Sequence, residues 1–162
     1  MMKKTDALVN LLVEHIEHKD ILEVACGAAD FSMSASEYAS SVTSIDIDDS
    51  RLNNETIDKI NFQIMDAAKM SFSDQCFDTV IIYNGFSHIL KQWKEIQAEC
   101  MRVMKTDGVF YIISTWKLDT NLMINTFGDK AKWQNEFLIV SIKKEINESE
   151  YVGEKNAKTC SL

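Results

Sequence analysis

The stretch ILEVACGAADFS, residues 21–32, decides the fold. Its first half is a run of apolar residues, which is typical of a strand that is buried on both faces of a parallel sheet. Its second half changes to small residues and then to a polar segment that is compatible with a helix. A tight turn between a strand and a helix often binds a nucleotide-like ligand. The turn contains a single glycine, Gly27, so the remaining strand ends must indicate which ligand it suits.

Composition limits the classes of protein to which the chain can belong. It has 162 residues, of which 46% are hydrophobic and 26% are charged, as expected for one globular domain with one core. The formal charge of -8 argues against a protein that binds nucleic acid through its phosphates, because such binding depends on a concentrated basic surface. No apolar stretch approaches the ~20 residues that span a bilayer. We therefore expect a soluble, cytoplasmic domain without a nucleic-acid or membrane partner.

The cysteines give no sign of a metal site. Cys26, Cys76, Cys100 and Cys160 lie far apart and form no C-x-x-C pair. The usual zinc and thioredoxin-like signatures are therefore missing. We expect these four residues to be reduced thiols.

Apolar runs and helical periodicity alternate along the chain. Strands are predicted at residues 21–25, 41–48, 60–67, 76–84, 109–116 and 137–145, and helices at 5–18, 30–40, 91–105 and 118–128. Residues 50–60 are predicted to form either a short polar helix or a loop. Gly108 is expected to end the 91–105 helix in the left-handed conformation. Because parallel strands need long crossover connections, this order predicts a three-layer α/β sandwich, with a mostly parallel sheet and helices on both faces.

Polar residues mark the ends of the predicted strands. Glu23 lies in the first strand, and Asp46, Asp66 and Asn84 end the next three. Ligands of open parallel sheets bind at the carboxyl ends of the strands. A dinucleotide site would show G-x-G-x-x-G, whereas here a phosphate would be repelled by Glu23 and Asp30. The ligand is therefore expected to lack phosphate and to be cationic.

S-adenosylmethionine meets these requirements, because it carries a sulfonium, an ammonium, a ribose diol and an adenine but no phosphate. A carboxylate at the end of the second strand can accept hydrogen bonds from both ribose hydroxyls. A second acid, at the end of the third strand, can accept one from the adenine amino group.

Five motifs in order carry a resemblance to a known family. They are LEVACGAAD (22–30), VTSIDID (42–48), FQIMDA (62–67), FDTVIIYNGFSHI (77–89) and ECMRVMKTDGVFYI (99–112). The chain resembles the class I S-adenosylmethionine-dependent methyltransferases, in particular the compact group that includes the ubiquinone and menaquinone methylases. The resemblance implies a Rossmann-like methyltransferase domain over residues 1–146. Residues 147–162 are expected to form a tail, because their composition is too polar to hold a core.

The resemblance also implies roles for the first strand and the loop that follows it. Ala25 and Gly27 would lie against the methionine part of the cofactor, and Cys26 would contribute backbone. Glu23 would organise the loop and face the ammonium through water.

The later strand ends would hold the rest of the cofactor. Asp46 would take the ribose hydroxyls, and Ile47 would pack on the adenine. Asp66 and the Ala67 amide would form hydrogen bonds with the edge of the adenine, while the carbonyl of Asn84 would face the ammonium.

The chain departs from the family pattern in two places. Ala25 and Ala29 stand where the family usually has glycine, and a methyl group there either tightens the pocket or costs affinity if the backbone needs positive φ. After the fifth strand the family commonly has two further strands, and only residues 137–145 have the pattern of one. The sheet is therefore expected to lack a C-terminal strand.

The substrate side offers fewer candidates. His88, in the loop after the fourth strand, is either a general base or a packing residue. Trp116, Phe127 and Trp133 either line an aromatic pocket or belong to the core.

The acceptor is expected to be a small molecule, because the proline-containing motif of many amino-directed methylases is absent. So short a chain leaves either an exposed active site or one completed by a second subunit of a homodimer. The alternative function is an inactive methyltransferase-like binding or scaffold module.

Overall fold

The computed structural model describes residues 2–145 and Cys160. The strands are β1 (Asp20–Val24), β2 (Ser41–Asp46), β3 (Asn61–Ile64), β4 (Phe77–Tyr83), β5 (Met104–Ser114), β6 (Lys132–Gln134) and β7 (Phe137–Ile142). The α-helices are α1 (Lys4–Leu11), α2 (Asp30–Ala35), α3 (Asn54–Lys59), α4 (Phe86–Ile89), α5 (Trp93–Val103) and α6 (Lys117–Phe127). Single turns of 3₁₀-helix cover Val13–His15, Leu90–Gln92 and Gly128–Lys130.

The strands form one seven-stranded sheet in the order β3-β2-β1-β4-β5-β7-β6. Strands β1 to β5 pair with one another in parallel, whereas β7 runs antiparallel to β5 and β6 antiparallel to β7. The chain moves outward from β1 to β3 and then returns to the other side of β1 at β4. This reversal opens a crevice at the carboxyl ends of β1 and β4, where open α/β sheets bind their ligands.

Each face of the sheet is covered by helices and carries its own hydrophobic core. Leu22 and Val80 pack with residues of α5 and α6, such as Ile96 and Met123. Their neighbours in sequence point to the opposite face, where Ile21 and Ile81 pack with residues of α1 and α2. This alternation follows from the two-residue period of a strand, and it confirms the predicted three-layer sandwich.

Two predictions about helices are wrong in detail. The helix predicted over residues 5–18 is α1 followed by a separate 3₁₀ turn, Val13–His15. Gly108 does not end a helix, because β5 already begins at Met104. A Cβ at Gly108 would lie 2.6 Å from the Asp78 carbonyl oxygen, so glycine is needed there for a close approach of two strands.

The strand that the sequence pattern did not reveal is β6. It has three residues, all exposed, and it pairs with β7 through Trp133 and Leu138. A short edge strand that buries no side chain leaves no hydrophobic alternation in the sequence. The sheet is therefore complete, and the expectation of a missing C-terminal strand is wrong.

The cysteines also differ from the prediction of four reduced thiols. Cys76, which precedes β4, is joined to Cys160 by a disulfide with a Cα–Cα distance of 5.4 Å. Cys26 and Cys100 are buried free thiols. The predicted polar tail, residues 147–162, lies outside the described residues apart from Cys160. Among the described helices, none is long and apolar enough to cross a membrane.

Candidate functional site

A cavity of about 330 Å³ lies at the carboxyl ends of the central strands. This volume falls in the range of about 300–1,000 Å³ that is usual for small-molecule sites. The residues predicted to bind the cofactor or to act as base all line it: Glu23, Ala25, Cys26, Gly27, Asp46, Ile47, Asp66, Ala67, Asn84 and His88. Residues up to 65 positions apart in sequence therefore meet in one place, because parallel strands end at the same edge of the sheet.

The loop after β1 has the backbone of a glycine-rich turn although it holds one glycine. Ala25, Gly27 and Ala29 have φ values of 55°, 55° and 60°, all in the left-handed region. The loop is closed by a hydrogen bond of 2.8 Å from the Ala29 amide to the Cys26 carbonyl. The two alanines thus adopt the conformation that favours glycine, at a cost of about 1–2 kcal/mol for each Cβ.

Asp46 connects this loop to β2. Its Oδ2 accepts a hydrogen bond of 2.8 Å from the Gly27 amide, and its Oδ1 accepts one of 3.2 Å from the Asp48 amide. A carboxylate has about four acceptor positions. Two remain on Asp46, one on each oxygen, and the residue lines the cavity. This arrangement can take a pair of neighbouring hydroxyl donors.

Glu23 is a buried acid in the middle of the sheet. Its Oε1 accepts hydrogen bonds of 3.1 Å from the Ser32 amide and 2.6 Å from the Ser32 hydroxyl, which also lies 2.6 Å from the Ser44 hydroxyl. Burial raises the pKa of Glu23 to about 8, against the lowering by the Ser32 donors. Glu23 is therefore largely protonated at neutral pH, and a cation in the cavity would favour its ionised form.

On the other side of β1, Asn84 ties the end of β4 to the end of β5. Its Oδ1 accepts hydrogen bonds of 2.7 Å from the Ser114 hydroxyl and 2.9 Å from the Thr115 amide. Asn84 has φ of 53°, in the left-handed region. Asp119, which is fully buried in α6, accepts a hydrogen bond of 3.1 Å from the Ser114 hydroxyl and one of 3.0 Å from the Ser87 amide. The short helix α4, which carries His88, is thus anchored to α6.

The aromatic candidates have different positions. Trp116 lines the cavity and is 46% exposed. Phe127 packs in the core, with its ring centroid 5.5 Å from those of Phe86 and Trp93. Trp133 is exposed on β6 and is not among the cavity residues. Of the three predicted aromatic residues, only Trp116 can line a substrate pocket.

The cavity has an acidic lining with one cation among its described residues. Asp30 and Asp48 join the predicted acids Glu23, Asp46 and Asp66. The cation is Arg51, whose guanidinium lies so close to Gly27 that a Cβ there would be 2.6 Å from its Nη1. Burial raises the pKa of the Cys26 thiol, so this cysteine stays protonated beside the loop.

The sequence pattern did not indicate Arg51 or Asp119 as parts of the site. Arg51 follows Asp46 by five residues in a polar segment, where nothing distinguishes it from solvated charges. Asp119 lies near the start of a helix, the usual place for an exposed acid, and its full burial follows only from the packing of α6.

The sequence model of the family described as "Methyltransferase domain" matches residues 22–112, which run from β1 into β5. The chain belongs to this family. S-adenosylmethionine is the cofactor that the family implies. No curated protein matches the sequence closely enough to count as a relative.

Solved structures share the fold at low sequence identity. A protein from Pyrococcus horikoshii OT3 is 24% identical, with a TM-score of 0.57, and the match covers 81% of this chain and 66% of that one. A TehB-like S-adenosylmethionine-dependent methyltransferase from Corynebacterium glutamicum is 15% identical, with a TM-score of 0.62, and the match covers 90% and 89%.

A third match has a different name. The [4+2]-cyclase SpnF is 18% identical, with a TM-score of 0.59, and the match covers 67% of this chain and 44% of the cyclase. The chain thus spans from less than half to about two thirds of the length of several proteins that it matches. At these identities the likeness defines the fold, while the reaction must be argued from the site.

Proposed function

We propose that this protein is an S-adenosylmethionine-dependent methyltransferase that acts on a small-molecule acceptor. The observation that carries the proposal is that residues from four separate strand ends, each predicted from sequence to contact the cofactor, line one cavity. Together with the family match over residues 22–112, this supports a cofactor site at the crevice beside β1. We extend the proposal to a methyltransferase domain over residues 1–146, in a cytoplasmic protein.

The lining residues fit this cofactor by their chemistry. The two remaining acceptor positions of Asp46 suit the ribose diol, and the acidic lining suits a ligand with cationic groups and no phosphate. Ile47, whose side chain is 76% exposed at the cavity, offers an apolar surface for the adenine. Asp66 and the Ala67 amide would form hydrogen bonds with the edge of the adenine.

The loop residues would hold the methionine part. Ala25, Cys26 and Gly27 form the loop surface there, and Glu23 with the Asn84 carbonyl would face the ammonium. Although Ala25 and Ala29 replace the glycines of the family pattern, their backbone is left-handed, so the turn keeps the path that glycine would give it.

When bound, S-adenosylmethionine supplies an activated sulfonium methyl group. The protein's contribution is then chiefly to hold the acceptor atom close and in line, and to exclude water. His88, which lines the cavity on α4, would take the proton of an acceptor that must lose one. The hydrogen bond from the Ser87 amide to Asp119 holds the start of α4 in place, which favours this role for His88.

A small molecule is the acceptor class that the size of the site favours. The cavity of about 330 Å³ must also hold the cofactor, and the net charge of -8 is unfavourable for a nucleic acid. His88 and Trp116 are exposed at the cavity, so a second subunit of a homodimer would be able to complete the acceptor side.

The test is methyl transfer from labelled S-adenosylmethionine to three separate pools: small metabolites, DNA and protein. We expect label in the small-molecule pool, and loss of that label in Asp46→Ala. Label confined to DNA or protein would overturn the acceptor class. No label in any pool, with cofactor binding intact, would favour the binding or scaffold module.

A further inference from the structure

We propose that the methyl acceptor is a neutral aromatic small molecule whose ring packs against the indole of Trp116. This inference rests on the proposed function, because it names the substrate class of the same site.

The cavity has two ends with different linings. The ends of β1, β2 and β3 contribute most of the residues that we assign to the cofactor. The opposite end is formed by Tyr83 at the end of β4, by His88 on α4 and by Trp116 after β5. With the cofactor on its predicted residues, this second end is the space left for an acceptor.

Trp116 presents an aromatic surface to that space. It is 46% exposed, whereas Trp93 packs with ring centroids 5.3 Å from Phe86 and 5.5 Å from Phe127. Within residues 2–145, the ring pairs that the structure forms do not include Trp116. Aromatic rings gain most from offset stacking or edge contacts at centroid distances of about 4.5–7 Å. An aromatic acceptor would supply the contact that Trp116 lacks.

The backbone of Trp116 is fixed before any ligand arrives. Its amide donates a hydrogen bond of 3.1 Å to the Ser114 hydroxyl, and its carbonyl accepts one of 2.9 Å from Thr120. Ser114 in turn contacts Asn84, a residue that we assign to the cofactor. The backbone that carries the indole is therefore fixed relative to the cofactor site, and a surface on a fixed backbone loses less conformational entropy when it binds a ligand.

The charges around the cavity favour a neutral acceptor. Asp30, Asp46, Asp48 and Asp66 line it, and of the described residues at the Trp116 end none is lysine or arginine. Arg51 lies against Gly27, at the cofactor end. A carboxylate or phosphate on the acceptor would find no lysine or arginine to pair with at that end, and the four aspartates at the cofactor end make the cavity as a whole unfavourable for an anion.

The experiment is calorimetric titration of the full chain, saturated with S-adenosylhomocysteine, by 2-naphthol. Two further probes test the chemistry: decahydro-2-naphthol, which is saturated, and 2-naphthoate, which is anionic. The variants are Trp116→Leu and, as a matched control, Trp133→Leu, since Trp133 is also half-exposed but lies away from the cavity.

We expect 2-naphthol to bind more tightly than either other probe. Trp116→Leu should weaken its binding about tenfold or more, because stacking and burial are both lost, while Trp133→Leu leaves it unchanged. Thermal melting and the S-adenosylhomocysteine affinity of each variant establish that its fold and cofactor site are intact. Trp116→Phe, which keeps an aromatic ring, should retain most of the 2-naphthol affinity of the wild type.

Three results would overturn the inference alone: no binding of 2-naphthol to a chain that binds S-adenosylhomocysteine, equal binding of the saturated probe, or equal binding by Trp116→Leu. Failure of the wild-type chain to bind S-adenosylhomocysteine would instead overturn the proposed function, and this inference with it.

Discussion

Replacing Ala25 by glycine should stabilise the protein, because the backbone at this position is left-handed. Ala25 has φ of 55°, where a Cβ costs about 1–2 kcal/mol. Glycine removes that cost but makes the unfolded chain more flexible, which costs about 0.4–1 kcal/mol. The Ala25 side chain is half-buried at the cavity, so little packing is lost. The expected net gain in the free energy of unfolding is about 0.5–1 kcal/mol.

Two neighbouring alanines provide matched controls. Ala29 has φ of 60° but is fully buried, so Ala29→Gly also loses a buried methyl group worth about 0.8 kcal/mol and should be close to neutral. Ala28 is not among the residues with positive φ, so Ala28→Gly should only lose stability, by about 0.4–1 kcal/mol.

The assay is urea denaturation with thermal melting as a second measurement. For a chain of this size about 1 kcal/mol corresponds to a change in Tm of about 2–4 °C. We expect the order of stability Ala25→Gly, then wild type and Ala29→Gly, then Ala28→Gly. A loss of stability in Ala25→Gly equal to that in Ala28→Gly would refute the reasoning, since it would mean that the loop bears no strain at Ala25.

Three further predictions concern other parts of the fold. Gly108→Ala should lower the free energy of unfolding in urea by about 1–3 kcal/mol, because its Cβ would lie 2.6 Å from the Asp78 carbonyl oxygen. The loss should exceed that of Gly85→Ala, whose φ is negative and whose Cβ would come no closer than 3.3 Å to another atom; equal effects would contradict this. Burial raises the pKa of Glu23 from 4.5 to about 8, so the folded state holds this proton more tightly than the unfolded state. Stability should therefore fall by up to about 1.4 kcal/mol per pH unit as pH rises through that window, and Glu23→Gln should remove that part of the slope in denaturation series; an unchanged slope would contradict it. The Cys76–Cys160 disulfide links residues 84 positions apart and so restricts the unfolded chain. Cys160→Ser should therefore lower the free energy of unfolding by about 2–4 kcal/mol in non-reducing urea titrations and leave it unchanged under reducing conditions. An equal loss of stability in both conditions would contradict the presence of the disulfide.

The sequence was sufficient to predict which residues meet at the site, because that depends on strand order. Glu23 lies within an apolar run, Asp46, Asp66 and Asn84 each end or follow one, and the carboxyl ends of parallel strands share one edge. Once the alternation of strands and helices is recognised, their meeting requires no knowledge of side-chain contacts.

Contacts made across the sheet were beyond the sequence pattern. The link from Asn84 through Ser114 to Asp119 joins β4, β5 and α6, and nothing local distinguishes these residues from exposed polar ones. Gly108 resembles a helix cap until the close approach of Asp78 is known. Such features depend on which backbones come together, and a pattern of hydrophobic residues does not encode that distance.

The most direct test of the central claim is calorimetric titration of the protein with S-adenosylmethionine, using Asp46→Ala beside the wild type. Asp129→Ala is the control, since Asp129 is an exposed acid on the turn Gly128–Lys130, away from the cavity. We predict saturable one-site binding by the wild type and Asp129→Ala, with binding by Asp46→Ala lost or greatly weakened. Absence of binding by the wild type, or equal binding by Asp46→Ala, would contradict the assignment of this cavity as the cofactor site.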